Sequence, residues 1–472
     1  MMNPDQRRSK IRSGRTDLLF RSRRGARALT LVRRSNHNTG SILDGLARRR
    51  MIQHSPFPMQ SLQVNAPLRK WPIWLATVGI FLPNTVGVTG KYVVVPLFVL
   101  AVGRFVSNGS RRWLPCDFFI FATGLWMIVA ELSTTGSLSM TTASDVFGFT
   151  ATYMVARTFI YGEQSLQLFI QALKLTTVTL VAISTLDTLS GHFFINDAVS
   201  ELISGAARPI VHGAGDIHRK LLGMDTMRAT STFDHPILFG SFCTFAAAIF
   251  LYSEQKLQLR AFYVGVCLTG VVLSISSAPL LGFGIAFSIY CYDQLLSQYP
   301  GRWKALWLAL LGSVCALLLL SNRPLGFVFD HFTFTPETGY YRVLIWDNAM
   351  DYIARAPLFG DQSAFLADEI LGNSVDCVWL VLALAYGLPV VLLLFLGILT
   401  ACISGGQRNG ALLNLEMRRL RTGFSVALAM FVFLGLTVHF WASIWLFWGL
   451  CIGIRASIAE YSRAVSKALY AT

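Results

Sequence analysis

The chain has 472 residues, of which 54% are hydrophobic and only 14% charged, against about 25% charged in an ordinary soluble domain. Lipid is therefore the expected solvent for most of it. The net charge of +15 does not point to nucleic acid, because most of the excess lies in residues 1–70, where sixteen Lys and Arg face only Asp5, Asp17 and Asp44.

Residues 1–70 are rich in Arg and Ser and lack apolar periodicity, so they are expected to form a disordered basic tail in the cytoplasm. No apolar core near Met1 marks a cleavable signal. Contact of the tail with anionic lipid, or a true start at Met51 or Met59, is an alternative reading of the same stretch.

Residues 71–457 are the expected membrane domain. Apolar runs long enough to cross about 30 Å of hydrocarbon divide it into about twelve spans, near 71–88, 91–107, 115–132, 145–161, 167–188, 235–252, 261–276, 278–294, 305–321, 375–402, 422–438 and 440–457. The runs lack the period-two alternation of barrel strands, which predicts an all-α integral membrane protein. With the basic tail inside, the even-numbered connections carry Arg104, Arg111, Arg112, Lys256, Arg260, Arg302, Lys304, Arg408, Arg418, Arg419 and Arg421. That excess fits the positive-inside rule, and the C-terminal tail at 458–472, next to Arg455, falls on the same side. The expected location is the bacterial inner membrane, with both termini cytoplasmic. The eight cysteines form no CxxC pair, so apolar packing is their expected role.

Two long connections fall outside, near 189–234 and 321–374. Loops of this length are usually functional. The first holds Arg208, Asp216, His218, Arg219 and Arg228; the second holds Arg323, His331, Arg342, Arg355 and Asp361. Glu131, Asp187, His235, Asp376 and His439 stand at the outer ends of spans, where a charge avoids the cost of about 2.5–3.5 kcal/mol at the bilayer centre. They either line one outward-facing polar cavity or reach separately to the interface.

Within the second loop, the stretch TGYYRVLIWDNAMDYIARAPLF at 338–359 has Val343, Ile345, Trp346, Ala349 and Ile353 at helical spacing, with Pro357 and Gly360 ending the run. It predicts an amphipathic helix with Arg342 and Trp346 on one side. A guanidinium suits a diphosphate, because its planar fork meets paired oxygens and stays charged; a structural stack on Trp346 is the alternative use. In the first loop, Arg228-Ala-Thr-Ser-Thr-Phe-Asp-His235-Pro236 precedes a span, where an Arg, hydroxyls and a His could meet an anion at a helix N-terminus.

These motifs carry a resemblance. The RxxxW string from Arg342 to Trp346, then Pro357 and Gly360, then a polar residue opening a span with Trp379, Leu380 and Gly387, resembles the O-antigen ligase and polysaccharide polymerase family. Arg228 to Gly240 is similar to that family's upstream stretch, and the two-loop topology matches, so the resemblance covers roughly 71–457. It implies a GT-C-like architecture and metal-independent, cofactor-free glycosyl transfer from an undecaprenyl-diphosphate-linked oligosaccharide. A chain-length regulator and a flippase are the partners it implies. Arg342 and Arg228 would hold the diphosphate, and Asp376 would take the acceptor proton. His235, Arg355 and Asp361 would assist, while Trp346 and Tyr341 would stack on sugars or anchor at the interface. Ligases of the family carry His-Asn where Asp376-Cys377 stands here, which favours a polymerase of exopolysaccharide or O-antigen repeat units over a ligase. A transporter of lipid-linked sugars is the rival class, for which Pro279 in SSAPLLGFG is the clearest helix break.

Overall fold

The computed structural model describes residues 70–83, 90–107, 111–204, 218–221, 224–320, 336–372, 375–404, 406 and 410–471. The basic tail, the stretch with Arg208 and Asp216, and the stretch with Arg323 and His331 lie outside the described residues. In chain order the helices are α1 (Trp71–Gly79), α2 (Gly90–Ser107), α3 (Pro115–Thr135), α4 (Met140–Phe159), α5 (Glu163–Ser190) and α6 (Phe194–Ser204). A two-stranded antiparallel hairpin, β1 (His218–Leu221) and β2 (Met224–Met227), follows, with His218 opposite Met227. Next come α7 (Pro236–Ser253), α8 (Leu257–Leu273), α9 (Ser277–Leu295), α10 (Arg302–Leu320), α11 (Pro336–Arg355) and α12 (Gln362–Leu366). The last four are α13 (Val378–Tyr386), α14 (Leu388–Ile403), α15 (Leu415–Leu434) and α16 (Ala442–Ala471).

The protein is an all-α membrane protein. Among the described residues four helices, α3, α5, α7 and α16, are long and apolar enough to cross a bilayer, and shorter apolar helices accompany them. Nearly all of α7 and α16 is enclosed by protein, whereas α3 and α5 bury only about half of their apolar windows, which leaves a face of each for lipid. The core joins α16 to α4, α7 to α8, α9 and α15, and α14 to α3. Without a hydrophobic drive between helices in lipid, close approach depends on small residues. Gly449 and Gly453, four apart on α16, supply it: a Cβ on either would come within 2.7 Å and 2.5 Å of the carbonyl oxygens of Phe149 and Tyr153 on α4.

The end of this seam away from Met140 is closed by ions. Arg157 is fully buried and donates to Asp117 at 2.8 Å and to Glu460 at 2.7 Å. Arg111 adds a 2.9 Å bridge to Glu460, and the Tyr153 hydroxyl donates to Asp117. Removing one partner of such a buried set is costly, of order 3–5 kcal/mol.

Three elements depart from the expected layout. The run expected to cross at 375–402 is two helices, because Gly387 adopts φ +82° and ψ 172°, a conformation left essentially to glycine. The helix expected to end near 457 continues to Ala471, through the stretch expected as a C-terminal tail, and Arg455 is 1% exposed. The first outer loop is not featureless, since it contains α6 and the hairpin.

Candidate functional site

The amphipathic helix expected at 338–359 is α11, Pro336–Arg355. Its buried positions are Arg342, Ile345, Ala349 and Ile353, spaced three, four and four apart, so one stripe packs inward with Arg342 in the second turn of the helix. Arg342 is 8% exposed, while Trp346 is half-buried against the core. The stripe rests on α13.

A backbone joint holds the two helices together. The Asp361 N–H donates to the Leu384 carbonyl at 2.8 Å, and the Leu388 N–H donates to the Pro357 carbonyl at 2.8 Å. Gly360 at φ +68° and Gly387 meet back to back, so a Cβ on Gly387 would overlap the Leu358 carbonyl. Pro357, Gly360 and Gly387, three of the residues that carry the family resemblance, thus form the hinge plate that fixes α11 against α13. Phe359 completes it by stacking on Trp126 at 5.4 Å.

At the other end of α13 stands Asp376, exposed, one residue before Cys377. Arg342 and Asp376 both act electrostatically on the Cys377 position, which places them around one point. The Val378 N–H donates to the carbonyls of Gly435 and Val438 at 3.1 and 3.2 Å, and the Trp379 indole donates to Val432 at 3.1 Å. These bonds bring the start of α13 to the turn between α15 and α16, where His439 faces the charges of Asp376 and of Asp145 on α4. Trp441 lies 5.4 Å from His439 and 6.2 Å from His235 by ring centroids, so both histidines flank one indole. Beneath them the Tyr386 hydroxyl meets Thr142 at 2.8 Å, close enough to feel Asp145 and Glu131.

Burial from water is the main effect on the His439 ring and pushes it down to about 4, against the pull of the two carboxylates. His439 is therefore neutral at neutral pH. A folded value below the unfolded 6.5 means that its contribution to stability is complete above 6.5 and is lost as pH falls from 6.5 toward 4. Thermal unfolding midpoints measured across that window should fall more steeply for wild type than for His439→Gln; parallel curves would rule the ring out as the cause.

The other expected residues stand in these surroundings. Arg228 is 2% exposed and donates to the Ser274 carbonyl at 3.1 Å and to the Ser276 hydroxyl at 2.8 Å, in the turn between α8 and α9. The hydroxyls after it, expected to help bind an anion, donate instead to backbone: Ser231 to Leu180 at 2.9 Å and Thr232 to Phe81 at 2.8 Å. Asp187 ties the same loop down by accepting from the N–H groups of Ser231 and Phe194, both at 2.9 Å. His235 caps α7, its Nδ1 accepting from the Ile237 N–H at 3.1 Å, so the positive helix end is met by the chain's own imidazole. A neutral ring that accepts at Nδ1 carries its proton on Nε2.

Arg355 is exposed over the Tyr352 ring at 5.1 Å, and Asp361 caps α12, accepting from Ala364 N–H at 2.9 Å and Ser363 at 2.7 Å. Those bonds hold the Asp361 carboxyl below its ordinary range. Tyr341 is exposed on α11, its hydroxyl 3.4 Å from the Ile370 carbonyl. The structure thus gathers Arg342, Asp376 and His439 and places His235 one ring away, through Trp441. Asp145, Thr142, Tyr386 and Trp441 are the residues that the motifs did not single out. Asp145 has a readable signal, a carboxylate at the end of an apolar run like Glu131, Asp187 and Asp376.

No known family model matches the chain, and no curated protein matches it in sequence.

Proposed function

We propose that the protein is a glycosyltransferase that polymerises undecaprenyl-diphosphate-linked oligosaccharide repeat units into exopolysaccharide or O-antigen. In this reading the work is done at the periplasmic face of the bacterial inner membrane, with both termini in the cytoplasm, a GT-C-like architecture, and a flippase and chain-length regulator as partners. The observation that carries it is the convergence of a buried guanidinium, Arg342, with Asp376 and neutral His439 at one end of the helix bundle.

Arg342 offers the fork that fits a diphosphate and stabilises the charge that develops on it as the sugar leaves. The bond between the donor's anomeric carbon and the diphosphate oxygen breaks, and its electron pair stays with the diphosphate. A new bond forms from that carbon to the acceptor hydroxyl oxygen, whose proton passes to the Asp376 carboxylate. Trp346 and Tyr341, on the same end of α11, would offer rings to sugar faces.

The test is the length of polysaccharide made by a deletion strain carrying wild type or Asp376→Asn, at equal membrane expression. We expect the amide variant to accumulate single repeat units on the lipid carrier and to lose polymer by a factor of order 10² or more. Normal polymer from Asp376→Asn would remove Asp376 from the mechanism. Normal polymer length in the deletion strain itself would point to ligation or transport in place of polymerisation.

A further inference from the structure

The geometry points to a second site, at the end of the bundle away from Asp376, that takes a phosphate oxyanion between Arg455 on α16 and Arg421 on α15. It stands independently of the transferase reading. Arg455 lies thirteen residues into α16, about 20 Å along its axis from Ala442. A cation at that depth, 1% exposed, is rare and marks function unless its charge is met.

Two of its three nitrogens are used by the fold. Nε donates to the Ser425 hydroxyl at 2.9 Å, and Nη2 donates to the Cys402 carbonyl at the end of α14. Nη1 is buried and has no hydrogen-bond partner among the described residues. Arg421 sits one turn before Ser425, whose hydroxyl donates to the Arg421 carbonyl at 2.9 Å. Its guanidinium packs against the Cα of Gly410, and it is close enough to Arg455 for the two cations to repel.

Among the described residues, the groups that act on this pair are Cys402 and Cys116, and no carboxylate is among them. Glu460, five residues further along α16, is committed to Arg111 and Arg157. Two guanidinium groups side by side, with one N–H unspent and no acid facing them, are stable in a low-dielectric setting only with an anion between them. Two planar forks favour an anion with several oxygens, hence phosphate over a halide. Arg421 is half-buried on α15, so the pair is reached from the surface on the Arg421 side. The phosphate can therefore belong to an anionic phospholipid or arrive as a free ion.

Full-length protein in nanodiscs separates these sources. Thermal unfolding is followed in phosphatidylcholine discs, in the same discs with inorganic phosphate against chloride at equal ionic strength, and in discs containing phosphatidylglycerol. A rise in midpoint with phosphatidylglycerol alone names the lipid; a rise with inorganic phosphate names the ion. Arg421→Gln should lose on the order of tenfold in apparent affinity, while Arg418→Gln, which removes the same charge from an exposed position on α15, should keep the wild-type response. No shift in any arm would overturn the site. Equal losses in the two variants would do the same, since they would trace the effect to general surface charge.

Discussion

If the protein is the proposed transferase, Arg342→Ala should lower transfer from a lipid-diphosphate donor by on the order of 10²- to 10³-fold while leaving the protein in the membrane at its normal level. The size is that of removing one preorganised charge from a developing anion. The normal level follows from the position, because alanine suits a helix interior and the neighbouring carboxylate of Asp376 is exposed and keeps its water. Arg342→Lys should recover part of the loss only, since an ammonium supplies the charge without the fork. Single-turnover transfer by purified protein in nanodiscs reads both effects. A wild-type rate in Arg342→Ala would remove the diphosphate role from α11 altogether.

Gly387→Ala should be as damaging by a different route. At φ +82° and ψ 172° any side chain is strained by about 1–3 kcal/mol, and the added carbon also overlaps the Leu358 carbonyl, which is backbone and has little room to yield. The expected result is a lower unfolding midpoint, lower expression and, in whatever protein survives, loss of transfer, because the joint that seats α11 is forced apart. Gly103→Ala is the control: it lies in α2 with open space around it, where alanine gains up to about 1 kcal/mol of helix propensity. Equal stability of the two variants would show that the joint is not needed.

Much of the layout was legible because lipid writes in long apolar runs, and the helix at 336–355 was legible because its apolar stripe repeats at helical spacing. The break at Gly387 was not, since the residues on either side, ending in Ala385-Tyr386 and resuming with Leu388, are equally apolar and hydropathy averages across them. The local sign was a glycine two residues before Pro389. The hairpin at 218–227 was hidden for the opposite reason: four-residue strands with Arg219, Lys220 and Asp225 show no period. In the site, Arg342 was readable as a charge set in an apolar stripe. The neighbourhood of Asp145, His439 and Tyr386 was not, because it is assembled from α4, α13 and the turn before α16, segments far apart in the chain. Arg228 and Asp361 illustrate the limit of motif reading: a polar residue at a helix entrance is as readily consumed by the backbone beside it as offered to a ligand.

The Gly449 and Gly453 seam has a mechanical corollary. Asp145 and His439 ride on α4 and on the turn into α16, two helices in such close backbone contact that neither can shift without separating both. Arg342 rides on α11, which is moored by one stripe of side chains on α13, by two backbone hydrogen bonds in the turn that follows it and by the stack of Phe359 on Trp126 of α3. Under thermal agitation the arginine side should part first, because local opening follows the elements with the fewest packed neighbours. On the proposed reading, a bulky polyprenyl substrate entering from the bilayer would meet one wall that stands and one that swings.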